Sequence, residues 1–215
     1  MKHALVGLLL AAGCASSGVQ QGYFFGHDLR REQSVVYVLD ISGSLQEATG
    51  TIPEEPTTAT AAEAAVPRIG VAELQRKLEK VKRHLIASLH GLPAGSTFNI
   101  VLFSDGVLKL SPEMIPVSPA TVDQVGAFVA RLEDGGSTNM FAAVEAGLSA
   151  GGHHVILLTD GLPTTSTPQE ILELAARANE NHHLVISTVS VGADQAREFL
   201  HQLAAENSGS FTSYD

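Results

Sequence analysis

The run Ser34-Val35-Val36-Tyr37-Val38-Leu39-Asp40 constrains the fold more than any other segment of the chain. Five consecutive apolar residues, three of them β-branched, leave no face for solvent, so a strand formed here must be covered on both sides. Such strands belong to parallel sheets flanked by helices. The run passes directly into Asp40-Ile41-Ser42-Gly43-Ser44, which sets one carboxylate and two hydroxyls at i, i+2 and i+4 of a tight loop. Oxygens spaced in this way suit a hard cation: Mg²⁺ takes them at about 2.0–2.1 Å in octahedral array and usually keeps positions for water or an incoming ligand.

Strands and helices alternate beyond Ser34. Val71, Leu74, Leu78, Val81, Leu85 and Leu89 recur at steps of three and four, which predicts a long amphipathic helix ended by Gly91 and Pro93. Phe98 to Phe103 reads as a strand, and Val107 to Leu110, after Ser104-Asp105-Gly106, as its antiparallel return. Helices are expected near 120–132 and 139–148, then a fully apolar strand from His154 to Thr159. Thr167-Pro168-Gln169-Glu170 has the pattern of a capped helix start. A strand from Leu184 to Val191, a helix capped by Asp194 and an edge strand from Ser210 to Tyr214 complete the order. The expected class is α/β: a three-layer, doubly wound, Rossmann-like α/β/α fold with a mostly parallel six-stranded sheet and one antiparallel strand towards an edge.

In folds of this class ligands bind beyond the carboxyl ends of the strands. Three segments are expected at that rim: Asp40-x-Ser42-x-Ser44, Thr138 behind Gly135-Gly136-Ser137, and Asp160-Gly161. Taken singly, each has a structural reading: Ser42 and Ser44 as turn formers, Thr138 as a helix cap, Asp160 as an Asx turn. Together they resemble the metal-ion-dependent adhesion site of von Willebrand factor A domains. There D-x-S-x-S, a distant Thr and a distant Asp surround one divalent cation, and all five positions are filled here. The resemblance spans about residues 34–215. It implies Asp40, Ser42, Ser44, Thr138 and Asp160 as metal ligands, directly or through water, and an Asp or Glu of a protein partner in the open position. It leaves Mg²⁺, Mn²⁺ and Ca²⁺ all eligible, with Mg²⁺ the first expectation.

An enzyme is the competing reading, because the same strand and loop resemble the first motif of haloacid-dehalogenase-like phosphatases. Those enzymes need a second Asp two residues after the nucleophile to protonate the leaving group. Here that position is Ser42, which cannot act as a general acid near neutral pH, so the chain is read as a binding protein. The pairs His153-His154 and His182-His183 lack the spacing of a zinc motif and are expected at the surface or flanking strands. A net charge of −10 argues against a nucleic-acid partner.

Upstream, Met1-Lys2-His3 and the apolar stretch Ala4 to Ala12 form an export signal too short to span a bilayer. It runs into Leu10-Ala11-Ala12-Gly13-Cys14, which resembles the lipobox of bacterial lipoproteins. The implied organisation is a signal peptide over 1–13, lipidated Cys14 with a tether over 14–33, and the domain over 34–215. That resemblance places the protein in the bacterial cell envelope, anchored to a membrane by lipid at Cys14. Ala15 after the cysteine points to the outer membrane if the source is Gram-negative. Tyr23-Phe24-Phe25, within the tether, is read as packing on the domain edge, with lipid headgroup contact as the alternative. One departure from the family pattern is an Ala/Glu/Pro-rich insertion over 46–69. It reads either as a disordered exposed loop or as a segment whose Glu54 or Glu55 folds back onto the metal. A second reading of the whole chain is a scaffold in an envelope complex whose metal serves only the fold.

Overall fold

The computed structural model describes residues 19–42, 69–132, 138–180, 183–192 and 196–214, with side chains from residue 77 onward in the first long helix. The export signal with Cys14, Ser44, the insertion as far as residue 68 with Glu54 and Glu55, the segment 133–137, His182 and Asp194 lie outside the described residues. Strands β1 (Tyr23–Phe24) and β2 (His27–Asp28) form a short antiparallel hairpin. Then follow β3 (Ser34–Asp40), α1 (Ile69–His90), β4 (Thr97–Phe103), β5 (Val107–Lys109), β6 (Ile115–Pro116) and α2 (Pro119–Val129). The chain continues through α3 (Met140–Leu148), β7 (His154–Thr159), α4 (Pro168–Asn179), β8 (Val185–Val191), α5 (Arg197–Glu206) and β9 (Ser208–Tyr214).

The main sheet has the order β5-β4-β3-β7-β8-β9, with β6 also paired to β4. Strands β4, β3, β7, β8 and β9 are mutually parallel, while β5 and β6 run antiparallel to β4. The expected α/β class and antiparallel return hold. The sheet has seven strands rather than six, because β6 is two residues long, one of them proline, and carries no alternation to read. β3 sits mid-sheet and serves two cores, which is why its apolar run is unbroken. Val35, Tyr37 and Leu39 face α1 and α2 with Leu85, Leu89, Val122 and Val125. Val36 and Val38 face the other layer with Met140, Ala143, Ile171 and Leu200. Burying each such side chain contributes roughly 1.5–3 kcal/mol. The one polar group on that strand's α1 side, the Tyr37 hydroxyl, bonds to the Ser88 hydroxyl at 2.9 Å.

The folded unit begins upstream of Ser34. Phe24, Phe25 and Leu29 are fully buried and Tyr23 half-buried, so the aromatic segment packs on the domain as expected and two of its three rings belong to the core. Phe25 (φ 46) and Gly26 (φ 90) form the hairpin turn, both with the positive φ that a two-residue turn matching strand twist requires. A non-glycine residue there costs conformational energy. The offset comes from packing: the Phe25 ring stacks on His84 at 4.0 Å and meets Phe24 and Tyr214 edge to face. At its start the hairpin abuts the end of α1, where a Cβ on Gly91 would collide with the backbone of Gly22. On its other side His27 lies between Ser210 and Thr212 of β9, bonded through Nδ1 at 3.0 Å and Nε2 at 3.1 Å.

A candidate cation site at the carboxyl rim of the sheet

Because β3 and β7 are parallel and Leu39 pairs with Leu158, the next rung sets Asp40 beside Thr159. Asp40 is only 4% exposed. Its Oδ1 accepts from the Ser42 backbone N–H at 2.9 Å and its Oδ2 from the Thr159 hydroxyl at 2.6 Å. Burial holds the carboxyl above its usual range. The hydrogen bonds from Ser42 and Thr159 pull it down, and the nearby charge of Asp160 pushes it up again. The site therefore contains two neighbouring acids, one of them removed from water, a setting that favours a bound cation.

Thr138 arrives from the far side of the chain. The N-cap of the helix behind it is Asn139, not Thr138. The Thr138 hydroxyl donates to the Ser42 hydroxyl at 3.0 Å across a separation of 96 residues. Both residues are buried. Oxygens about 2.1 Å from an octahedral Mg²⁺ stand about 3.0 Å apart along each edge of the octahedron. The Ser42–Thr138 spacing is therefore that of two adjacent ligands, and the donor set of hydroxyls and carboxylates fits a hard cation. Among the described residues no group of three or more His, Cys, Asp or Glu forms a metal cluster.

Four of the five residues expected from sequence thus come together: Asp40, Ser42, Thr138 and half-buried Asp160. The supporting residues escaped sequence reading. Thr159 orients Asp40, and only strand register could have revealed it. Thr164 brackets Thr138, accepting from its N–H and donating to its carbonyl, both at 3.1 Å. The Asn139 N–H donates to the Ser104 carbonyl at 2.9 Å and its Oδ1 accepts from the Thr165 hydroxyl at 3.3 Å. With Ile41 N–H bonded to the Phe103 carbonyl, the loops after β3, β4 and β7 are tied to one another around the four oxygen-bearing residues.

A second polar line crosses the sheet towards its opposite edge. Glu32 Oε1 lies 3.4 Å from His154 Nδ1, and His154 Nε2 lies 2.9 Å from the Ser187 hydroxyl. The residue types are those of a nucleophilic triad, but Ser187 is 2% exposed inside a parallel strand and its Oγ also accepts from the Ser210 N–H. A substrate has no approach to it. The line accounts for His154, which is the buried first residue of β7 and not the surface or flanking residue expected, while its neighbour His153 is exposed.

A sequence model of the von Willebrand factor type A domain matches residues 69–212, from α1 to β9 and beginning after Asp40 and Ser42. Human inter-alpha-trypsin inhibitor heavy chain H4 is 28% identical over 149 residues, covering 62% of this chain and 16% of that protein. The chain thus spans about a sixth of that relative. Among solved structures, a von Willebrand factor type A protein from Catenulispora acidiphila superposes with a TM-score of 0.64 at 18% identity, covering 86% of this chain and 39% of the other. The manganese-loaded TRAP protein of Plasmodium vivax superposes with a TM-score of 0.56 at 16% identity, covering 87% and 70%.

Proposed function

The chain belongs to the von Willebrand factor type A domain family, and on that premise we propose that it binds a protein partner through a divalent cation held by Asp40, Ser42, Ser44, Thr138 and Asp160. The observation that carries this reading is the 3.0 Å approach of the Ser42 and Thr138 hydroxyls beside buried Asp40. Bound there, the cation supplies a positive charge that a partner's Asp or Glu can ligate. The hydroxyls coordinate without neutralising that charge, so an outside carboxylate is still attracted. Mg²⁺ is the first choice, with Mn²⁺ and Ca²⁺ able to use the same oxygens. The manganese of the Plasmodium vivax protein supports a cation of this hardness. The role is binding rather than catalysis, supported by Ser42 where a phosphatase of similar motif needs an acid.

The partner test is capture from bacterial envelope extracts by the immobilised chain. A partner retained in Mg²⁺ should be released by EDTA and lost with Thr138→Ala, while the variant's melting temperature falls only modestly. A second reading, a scaffold with a purely structural metal, draws on the loops that the site ties together. It expects the reverse: Thr138→Ala retains the partner and mainly lowers stability.

Presentation at a membrane completes the proposal. Cys14 in its lipobox-like setting is the chain's one cysteine, and acylation there would fix the domain in the cell envelope, at the outer membrane of a Gram-negative source. Each buried methylene adds about 0.8 kcal/mol of anchoring. Cys14→Ser should move the protein from the membrane pellet to the soluble fraction and remove the acyl mass. Unchanged fractionation would rule out the anchor.

A further inference from the structure

Charge is spread unevenly over the helices. α1 holds Arg76, Lys77, Lys80, Lys82 and Arg83 against Glu73 and Glu79, a net charge of +3. Helices α2, α3, α4 and α5 each carry −1. The whole chain carries −10, so the residues outside α1 carry −13 (−10 − 3). A basic helix on so acidic a protein is the surface that attracts an anionic partner.

Beside it a groove of about 580 Å³ opens between α1 and α2, within the size range of small-molecule sites. Val19, Ile86, Val129 and Ala130 give it an apolar lining. Its Lys82 is buried and spent inside the protein, the Nζ donating to Glu79 at 2.9 Å and to the Leu132 carbonyl at 3.1 Å. That bond also matches the groove's own acid. Arg83 is exposed and forms no ion pair among the described residues, so its guanidinium is the charge the groove offers. Two turns on, the exposed His90 closes the far end.

Which anion this face meets follows from where the described chain starts. Val19 and Gln21 line the groove, and the Gly22 N–H donates to the Ala87 carbonyl at 3.0 Å. Cys14 stands five positions before Val19, and five residues reach no further than about 18 Å even when fully extended. A bilayer holding lipid at Cys14 is therefore a near neighbour of the one basic helix.

We propose that the α1–α2 groove seats an anionic phospholipid of the membrane that carries the anchor, its phosphate against Arg83 and its glycerol and first methylenes along Ile86 and Val129. The apolar lining contributes a desolvation term that a free inorganic phosphate could not draw on. The inference rests on the anchor reading given above. The test uses the acylated chain in vesicles of phosphatidylcholine, with and without phosphatidylglycerol, each carrying a headgroup-linked quencher. Acylation occupies Cys14, so a thiol-reactive dye reports one introduced position: Ala127→Cys on α2, or Glu173→Cys on α4, which covers the other face of the sheet. Both positions are exposed. The dye at 127 should be quenched in vesicles with phosphatidylglycerol and recover as salt is raised, while the dye at 173 stays bright. Arg83→Glu, and Ala130→Glu at the exposed margin of the groove, should melt like the parent and lower the docked fraction about tenfold. An anchored chain quenched equally at both positions, at neither, or as strongly in phosphatidylcholine alone would overturn the lipid site and leave the anchor standing. A groove covered by a second copy of the chain would leave 127 bright and double the mass in light scattering, which also overturns it. A chain that carries no acyl group overturns the anchor reading and this inference with it.

Discussion

Asp40→Asn should leave the metal-free protein as stable as the parent, or more so, and erase its stabilisation by Mg²⁺. The carboxylate at this position is buried next to Asp160, and a buried charge beside a like charge costs folding free energy. The amide keeps the shape and the hydrogen bonds: its Oδ1 can accept from the Ser42 N–H as before. Its Nδ2 can donate to the Thr159 hydroxyl, which turns its own hydrogen to the Gly161 carbonyl 3.2 Å away. What the variant loses is half of the acid pair that attracts a cation. A ligand at a hundredfold excess over its Kd stabilises a fold by about 2.7 kcal/mol. For a domain of this size that corresponds to a Tm increase of roughly 5–10 °C. Melting curves of parent and variant in EDTA and in excess Mg²⁺ provide the measurement. An equal Mg²⁺-induced rise in both proteins would mean that the cation binds elsewhere.

The parts of the fold that sequence reveals are those whose residues answer to one local requirement. The β3 run must be buried on both faces and is, and the Thr167–Glu170 start of α4 closes as a reciprocal cap, with the Thr167 N–H donating to Glu170 Oε2 at 2.7 Å. Asp40, Ser42, Thr138 and Asp160 were legible because each stands at the carboxyl end of a strand or in a loop that the parallel topology must bring to one rim. Thr159 was not, since it reads as the last residue of an apolar strand and acquires its role only from the β3–β7 register. The hairpin at Tyr23–Asp28 was hidden for a related reason. Its turn is Phe25-Gly26 rather than Asn-Gly, and the energy that holds a phenylalanine at positive φ comes from His84 and Tyr214, 59 and 189 positions further along the numbering (84 − 25 and 214 − 25). Segments stabilised by distant partners carry little local signal.

That hairpin leads to the second large effect: stability should fall steeply as the pH drops from 6.5 to 4. His27, at the start of β2 with its ring against β9, has its pKa lowered to about 4, first by burial and then by the neighbouring His154, which itself contacts Glu32. In the unfolded chain the same imidazole titrates near its ordinary value of about 6.5. Between those two values the unfolded state binds the proton and the folded state does not, so folding loses about 1.4 kcal/mol per pH unit, up to roughly 3 kcal/mol in all. Above pH 6.5 the contribution is fully present, and below pH 4 no more of it can be lost. His84, stacked on Phe25, is shifted in the same direction, first by burial and then by Lys80 and Arg83. Two histidines on opposite sides of one hairpin therefore act together. His27→Gln replaces the imidazole with a group that offers a donor and an acceptor but no charge. Urea denaturation followed by circular dichroism at pH 7.5 and pH 4.0 should show the stability difference shrinking by roughly 3 kcal/mol in the variant. An unaltered difference would mean that protonated His27 is tolerated against β9, and that the acid response comes from His84, His154 or the carboxylates instead.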